Sequence, residues 1–278
     1  MPGFAEGVSG MQFADQLQQQ VTRFGVEILQ AQDVARVHSH DNYHCVDTAD
    51  GSEYSARAVL VASGSRYRHL GVPGEQEYIG AGIHFCATCD GPFYKGKSVV
   101  VVGGGNSATE EGLFLLRFAD QVTLLVRGDE LTASQVLINK IMEHDEIEVK
   151  FNTEVEEFSG EGGKLQQVKL KNSRTDKSEV IDPAGVFVFI GQMPNTDFLK
   201  ETGIETNQWG FIITGHDLVH DGRVLPGFDG RAPGMLETSL PGIFAAGDVR
   251  AGSTKQVASA AGEGATAALL IREYLKTV

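Results

Sequence analysis

Two cysteines and a carboxylate within one short segment are the residues of this chain best suited to chemistry. The segment GIHFCATCDGPFY, residues 80–92, contains Cys86 and Cys89, and Asp90 follows directly. A Cys-x-x-Cys pair can serve as a redox-active dithiol, as half of a zinc site, or as two structural thiols. For redox use, this spacing permits a strained and easily reduced disulfide, and Asp90 could carry the proton that thiol–disulfide exchange adds or removes.

Metal binding is poorly supported by the sequence. A structural zinc site needs four ligands, and beside the cysteine pair only His84 lies close by. His216 and His220 have a metal-like spacing, but they lie in a Gly-, Pro- and Asp-rich stretch, 215–234, which predicts an exposed loop. We therefore predict no metal. Cys45, the third cysteine, lies in a β-rich run and is predicted to be buried and inert.

A glycine-rich turn between a strand and a helix is the second chemical feature. Residues 97–116, KSVVVVGGGNSATEEGLFLL, pass from a β-branched run into a helical pattern, and a second strand follows at 122–126. The turn has the G-x-G-x-x-A fingerprint of dinucleotide-binding folds, in which glycine lets the backbone approach a pyrophosphate at the helix N-terminus. The residues predicted to bind the nucleotide here are Gly103, Gly105, Asn106, Ser107 and Ala108.

The end of the second strand bears on which nucleotide is bound. An acidic residue at this place would bind a ribose hydroxyl, whereas an arginine accommodates the 2′-phosphate of NADPH. Arg127 lies there, so NADPH is favoured, although the nearby Asp129 and Glu130 would repel a phosphate and leave NADH possible. A solvated surface arginine is the alternative interpretation.

Composition narrows the class of protein. The chain has 278 residues, 41% of them hydrophobic, and a formal net charge of −14, which disfavours nucleic acid or an anionic membrane as partner. No run of eighteen apolar residues occurs, and the first ten residues lack the pattern of a secretory signal. Three cysteines do not make a secreted disulfide framework, so a reducing cytoplasm is expected.

Several motifs of this chain, and the order in which they follow one another, resemble those of the low-molecular-weight thioredoxin reductases. They are CATCDG, VVVVGGGNSATEEGLFL, FVFIGQMPNT, PGIFAAGDVR and KQVASAAGEGATAA. The resemblance implies an α/β fold with two Rossmann-like nucleotide-binding domains, of the three-layer β/β/α type, one inserted in the other. The discontinuous FAD-binding domain would span 1–68 and 195–278, and the NAD(P)H-binding domain with the Cys-x-x-Cys would span 69–194.

The resemblance also implies an activity. Electrons would pass from NAD(P)H through FAD to the dithiol and on to a thioredoxin-like protein. Cys89 would exchange electrons with the flavin, Cys86 would form the mixed disulfide with the partner, and Asp90 would be the acid and base. The domains would rotate about hinges near 72–74 and 191–195, and a homodimer is expected.

The expected flavin contacts lie near the C-terminus. Gly247 and Asp248 follow a buried strand, where a carboxylate can accept hydrogen bonds from ribityl or ribose hydroxyls. Lys255, Gln256 and Val257 resemble the family segment that touches the isoalloxazine ring. Two other functions stay open, namely a flavin-dependent diaphorase that uses another donor or acceptor, and a non-catalytic dinucleotide-binding remnant.

Two departures from the family pattern stand out. The family begins with a βαβ unit that holds the FAD pyrophosphate, and about 50 residues corresponding to it have no counterpart here. The family's 2′-phosphate clamp, His-Arg-Arg with a further arginine, is replaced by Val126, Arg127, Gly128 and Thr132. We therefore expect NADH to be an option beside NADPH as the electron donor.

Overall fold

The structure is a computed structural model that describes residues 3–40, 43–219 and 225–278. The chain divides into two compact units, unit 1 comprising Met1–Arg66 with Met193–Val278, and unit 2 comprising Tyr67–Gln192. Unit 2 is thus inserted into unit 1, and the chain crosses between them close to the predicted limits at 68 and 195.

The described part of the chain contains both helices and strands, with helices between strands chiefly from β5 to β9. The helices are α1 (Gly10–Arg23), α2 (Glu75–Tyr78), α3 (Ala87–Asp90), α4 (Asn106–Leu115), α5 (Gln135–Met142) and α6 (Val257–Tyr274). The strands are β1 (Val34–His40), β2 (Tyr43–Thr48), β3 (Glu53–Ala56), β4 (Val59–Val61), β5 (Ser65–Tyr67), β6 (Ile83–His84), β7 (Ser98–Val102), β8 (Gln121–Leu125), β9 (Ile147–Lys150), β10 (Thr153–Glu161), β11 (Lys164–Asn172), β12 (Ser178–Ile181), β13 (Gly185–Val188), β14 (Gln192–Pro194) and β15 (Ile243–Ala245).

Unit 2 has three layers. Its centre is a parallel sheet of order β6-β13-β7-β8-β9, and β10, β11 and β12 form an antiparallel meander. Because side chains alternate along a strand, Val99 and Val101 of β7 pack in the cluster that contains α4 and α5, whereas Val100 and Val102 pack against the meander. Both faces of the sheet are covered, which explains the continuous apolar run of β7. The predicted α/β fold of the three-layer type is confirmed.

The meander of unit 2 has one strand more than its sequence predicts. Residues 155–180 have the pattern of two strands joined by a Gly-rich turn, but they contribute to three strands, β10 to β12. The third, Ser178–Ile181, is short and mostly exposed, so it lacks the alternation of buried and exposed residues by which a half-buried strand is recognised.

Unit 1 combines a three-stranded antiparallel meander, β1-β2-β3, with a parallel pair, β4 and β15, and the C-terminal helix α6. Val37 of β1 packs with Val61 and Ile243 in a common core. Cys45 is 1% exposed, as predicted. Within the described part of the chain, β4 pairs with β15 alone, so its other edge has no strand partner there.

Helix α1 is an amphipathic surface helix, as its spacing predicts. Ser9 caps it through a reciprocal pair of hydrogen bonds with Gln12, and Gly25 follows its end with a φ of +72°, a conformation that glycine adopts without strain. None of its residues is buried. In the described ranges, no helix combines the length and apolar character that crossing a membrane requires.

The two chain crossings between the units lie within strands β5 and β14. The expected hinge at 72–74 lies inside unit 2 instead, where the carbonyl of Pro73 accepts a hydrogen bond from the Phe158 amide at 3.0 Å. A Cβ on Gly74 would lie 2.1 Å from the Phe158 carbonyl oxygen. This turn is therefore packed against β10, and the crossings are at Arg66 and Gln192.

Candidate active site

The cysteine pair of unit 2 forms a disulfide. Cys86 and Cys89 are bonded, with their Cα atoms 5.3 Å apart. Cys86 follows strand β6 and is the N-cap of α3. Its Sγ makes the capping hydrogen bond by accepting the Cys89 amide N–H at 3.2 Å. Ala87, between them, is fully buried and anchors the turn in the core of the unit. Cys89 is exposed and Cys86 half-buried, so solution reagents can reach the pair.

A histidine and a tyrosine join the carboxylate beside this disulfide. His84 Nδ1 lies 3.3 Å from Asp90 Oδ2, and His84 Nε2 lies 2.5 Å from the Tyr94 hydroxyl. The His84 side chain is only 10% exposed, and Asp90 is 30% exposed. The three side chains therefore form a continuous hydrogen-bonding chain, which ends at the residue that follows Cys89.

Burial favours the neutral forms of His84 and Tyr94, the two inner members of this hydrogen-bonded series. Burial lowers the pKa of His84, although the charge of Asp90 and its hydrogen bond raise it in part. Burial, followed by the charge of Asp90, raises the pKa of the Tyr94 hydroxyl. Sequence reasoning considered His84 only as a metal ligand and missed Tyr94. The sequence signal that could have identified Tyr94 is its position four residues after Asp90.

The glycine turn of unit 2 has the geometry that a pyrophosphate requires. Gly103, directly after β7, has a φ of +143°, and a Cβ there would lie 2.5 Å from the Phe189 carbonyl oxygen. The third fingerprint residue, Ala108, is fully buried, so a small side chain is needed there for α4 to pack on the sheet. Gly105 is the N-cap of α4 and supplies no capping side chain, which leaves the first amide N–H groups of the helix for an anion.

The remaining predicted nucleotide residues lie at the same turn. Asn106 Oδ1 accepts the Ser134 amide N–H at 2.7 Å, which ties the start of α4 to the start of α5. Ser107 is exposed on the first turn of α4. Arg127, two residues after β8, is 87% exposed, with Glu154 Oε1 at 3.9 Å from its Nε. The fingerprint residues thus have the geometry that a dinucleotide requires. The exposed Arg127 side chain is accessible to the 2′-phosphate of NADPH.

Arg127→Ala is expected to lower the affinity for NADPH about 10-fold, because one charge-assisted contact to the 2′-phosphate is lost. The affinity for NADH should change less than about twofold, since NADH lacks that phosphate. Calorimetric titration of both nucleotides measures this difference. Arg174→Ala, at another exposed arginine of unit 2, is the matched control. Equal losses for both nucleotides would contradict a role for Arg127 in reading the phosphate.

Unit 1 contains a pocket of about 280 Å³ between the ends of its parallel strands and α6. The residues that line it are Leu60, Ala62, Gly64, Ala246, Gly247, Asp248, Val257, Ala260 and Gly264. The wall is mostly apolar, and three of the predicted flavin residues, Gly247, Asp248 and Val257, belong to it. No described residue donates a hydrogen bond to the carboxylate of Asp248.

The turn at Gly247 is held by an ion pair that sequence reasoning missed. Glu263 Oε2 accepts the Gly247 amide N–H at 2.7 Å, and Glu263 Oε1 lies 2.7 Å from Arg250 Nη2. Although burial raises the pKa of Glu263, the bonds from Arg250 and Gly247 lower it overall. The segment 262–267, which matches the glycine fingerprint by chance, is the helical backbone of α6 that presents this carboxylate.

Lys255 is engaged within its own loop. Its Nζ donates to the carbonyl oxygens of Asp248 at 2.7 Å and Arg250 at 2.8 Å and to Ser253 Oγ at 2.9 Å, and it lies 4.1 Å from the centre of the Phe211 ring. Burial lowers the pKa of Lys255 to about 8, with the Asp248 charge acting against it. An ammonium has three donors, so none is left for a flavin. Lys255 therefore shapes the loop that precedes Gln256 and Val257.

The expected flavin fits unit 1 in part. The apolar pocket suits an aromatic ring, and the Asp248 carboxylate suits ribityl hydroxyls. Among the described residues of unit 1, no glycine turn joins a strand directly to an α-helix, so a pyrophosphate cradle like that at Gly103 does not occur there. The residues present thus fit the ring and ribityl portion of the cofactor.

Three potential metal ligands lie close together on the meander of unit 1. The ligand atoms of His38, Cys45 and Glu53 lie within 4.8 Å of one another on the meander of unit 1. Glu53 is exposed, and the nearby Asp47 carboxylate is bound to Arg36 at 2.7 Å, so these groups do not make a closed ligand set. In the loop 215–234, Gly215–Leu218 form a short 3-10 turn, while His220 lies outside the described residues.

Comparison with known proteins gives consistent matches over the whole chain. Residues 3–264 match the family described as pyridine nucleotide-disulphide oxidoreductase. Thioredoxin reductase of Treponema pallidum is 36% identical over 277 residues, covering 100% of this chain and 83% of that protein. The Bacillus subtilis enzyme of the same name is 37% identical over 275 residues, covering 99% and 80%. The crystal structure of thioredoxin reductase from Streptococcus pyogenes has a TM-score of 0.87 at 34% identity, covering 100% of this chain and 84% of that chain.

Proposed function

We propose that this chain, which belongs to the thioredoxin reductase family of pyridine nucleotide-disulphide oxidoreductases, reduces a thioredoxin-class protein disulfide through Cys86 and Cys89. The family is FAD-dependent and uses NADPH. The observation that carries the proposal is a formed and accessible Cys86–Cys89 disulfide in the same unit as a dinucleotide turn.

The dithiol reduces its partner by two exchanges. The Cys86 thiolate attacks one sulfur of the partner's disulfide, so that a mixed disulfide forms and a partner thiolate leaves. Asp90 donates the proton that this leaving sulfur takes up. Asp90 then takes the proton of the Cys89 thiol, the resulting Cys89 thiolate attacks Cys86 Sγ, and the internal disulfide forms. The second partner sulfur leaves and receives that proton from Asp90. The dithiol loses two electrons and two protons, and the partner disulfide gains them.

The other predicted residues bind cofactors in this proposal. Gly103, Gly105, Asn106, Ser107 and Ala108 hold the pyrophosphate of the nicotinamide nucleotide, and Arg127 approaches its 2′-phosphate. In unit 1, Gly247, Asp248, Gln256 and Val257 face the flavin, with Lys255 supporting their loop. Bound FAD supplies the two-electron relay between the nicotinamide and the disulfide.

The first experiment is the visible absorption spectrum of the purified chain after incubation with FAD and desalting. Retained flavin bands are expected, and anaerobic addition of NADPH should bleach them. Addition of an oxidised thioredoxin should then restore the oxidised spectrum. A colourless chain, or a flavin that NADPH does not reduce, would contradict the proposal for this chain.

Asp248→Asn is expected to weaken FAD binding about 10-fold, because a charge-assisted hydrogen bond to the ribityl chain becomes a neutral one. Fluorescence titration of FAD into the flavin-free chain measures the dissociation constant. Asp197→Asn, an exposed aspartate of unit 1 paired with Lys200, is the matched control and should leave it unchanged. An unaltered dissociation constant in Asp248→Asn would remove Asp248 from the flavin site.

The family resemblance also supports a homodimer and a cytoplasmic location as proposals. Light scattering coupled to size-exclusion chromatography checks the first, with an expected mass of twice the 29.9 kDa of one chain. A mass of one chain, unchanged by FAD, would contradict it.

A further inference from the structure

We propose that His84 is a positioning residue which, together with Tyr94, holds the Asp90 carboxyl group in both its ionised and its protonated form during thiol–disulfide exchange. The inference rests on the proposed function, in which Asp90 gives a proton to the leaving sulfur. Asp90 acts as an acid in one step and has to regain a proton before the next step.

Both nitrogens of the His84 ring are engaged. Nδ1 faces Asp90 Oδ2 at 3.3 Å and Nε2 faces the Tyr94 hydroxyl at 2.5 Å. Phe187 of β13 packs on the rings of both His84 and Tyr94, with centroid distances of 5.3 Å and 5.4 Å. A Cβ added at Gly185 would lie 2.4 Å from the Tyr94 ring, so that ring is enclosed as well. The imidazole is therefore fixed between one carboxyl group and one hydroxyl group.

Such an arrangement is satisfied in two protonation states. When Asp90 is a carboxylate, it can only accept, so Nδ1 carries the hydrogen and Nε2 accepts from the Tyr94 O–H. When Asp90 carries a proton toward Nδ1, the other tautomer accepts it, and Nε2–H donates to the Tyr94 oxygen. A hydroxyl group both donates and accepts, so Tyr94 only rotates its hydrogen. No heavy atom has to move between the two states.

The proton balance of the exchange follows from these states. The Asp90 acid gives its proton to the thiolate that leaves the broken disulfide, and it becomes a carboxylate bonded to Nδ1–H. The proton returns to Asp90 from the Cys89 thiol as that thiol becomes the attacking thiolate. The ionisable groups in contact with His84 among the described residues are Asp90 and Tyr94, and the Phe187 face is apolar. Burial lowers the pKa of His84, which keeps the ring neutral and able to change tautomer.

The test compares two disulfide substrates that differ in their need for an acid. The chain is reduced, desalted without flavin, and mixed in a single turnover with oxidised glutathione or with an aromatic disulfide that yields an acidic thiol. A leaving thiolate of low pKa departs without protonation, whereas the glutathione thiolate benefits from an acid. For His84→Phe we expect an exchange rate with glutathione disulfide about 10-fold lower near pH 7, an altered pH profile, and an aromatic-disulfide rate unchanged within about twofold.

Matched variants separate positioning from packing. Tyr94→Phe keeps the ring against Phe187 and removes only the hydroxyl, and we expect a fall of about threefold with glutathione disulfide alone. His144→Phe removes another histidine–carboxylate contact of unit 2, at 3.5 Å from Glu146, and should change neither rate. Thermal unfolding shows whether each variant is folded. If His84→Phe does not fold, His84→Asn and Tyr94→Phe take its place.

The outcomes are distinct. A selective loss with glutathione disulfide supports the inference. An equal loss with both disulfides means that His84 only packs, and unchanged rates with both mean that it has no part in the exchange. Either result overturns the inference. A parent chain whose dithiol exchanges with neither disulfide contradicts the proposed function itself, independently of His84.

Discussion

In Cys86→Ser and in Cys89→Ser, reduction of an oxidised thioredoxin is expected to fall by roughly three orders of magnitude or more, because neither sulfur alone can complete the two exchanges. The two variants should differ in what remains. In Cys89→Ser, the Cys86 thiolate can still attack the partner, and nothing resolves the mixed disulfide, so a covalent adduct should accumulate. In Cys86→Ser, no adduct is expected. Non-reducing electrophoresis and steady-state turnover measure both effects.

Controls for this experiment follow from the structure. Cys45→Ala removes the buried thiol of unit 1 and should leave turnover within about twofold of the parent, since that thiol is inaccessible to a partner. Reduction of an artificial acceptor such as ferricyanide bypasses the dithiol and should persist in both serine variants. Undiminished thioredoxin reduction would favour a diaphorase that does not need its dithiol. An adduct in Cys86→Ser in place of Cys89→Ser would exchange the roles of the two cysteines.

Gly105→Asp is expected to lower the affinity for NADPH and NADH about 100-fold without unfolding the chain. Gly105 has φ −92° and ψ −177°, which any residue adopts, and a Cβ there meets only Thr132 Oγ1 at 3.8 Å. Aspartate is moreover a favoured N-cap, so the stability of α4 should not fall. Its carboxylate would occupy the place of the pyrophosphate. Two like charges about 4 Å apart repel by about 4 kcal/mol at an effective dielectric constant of about 20, and solvent screening at this half-exposed turn reduces that figure.

Gly105→Asn separates charge from size. Asparagine has nearly the same shape and also caps helices, but it carries no charge, so we expect only about a 10-fold loss of affinity. Calorimetry gives the affinities, and the melting temperature verifies the fold. Equal losses in the two variants would mean that the size of the side chain, and not its charge, blocks the nucleotide. Unchanged binding in Gly105→Asp would place the phosphates elsewhere.

Local features of the fold followed from the sequence because they depend on neighbouring residues. The strand Val99–Val102, the glycine turn and the helix after it were predicted from periodicity, and each is present as β7, the turn at Gly103 and α4. The cysteine pair forms a disulfide, as a spacing with two intervening residues allows. Where the local pattern is weak, prediction from it is wrong. The run VEIL at residues 26–29 is β-rich and predicts a strand, yet these residues form none, and Val26 and Ile28 are exposed.

What the sequence by itself determined was therefore the class of fold, the dinucleotide turn and the redox pair, since spacing along the chain governs each of them. Only the tertiary structure decided which side chains surround these groups. His84 contacts Asp90 and Tyr94 because a strand, a short helix and a 3-10 turn follow one another. The directions of these three short elements cannot be read from the periodicity of the sequence. Likewise Glu263 reaches Gly247 across 16 residues of sequence. Such contacts depend on backbone directions in irregular turns and on packing between distant segments, which composition and periodicity do not encode.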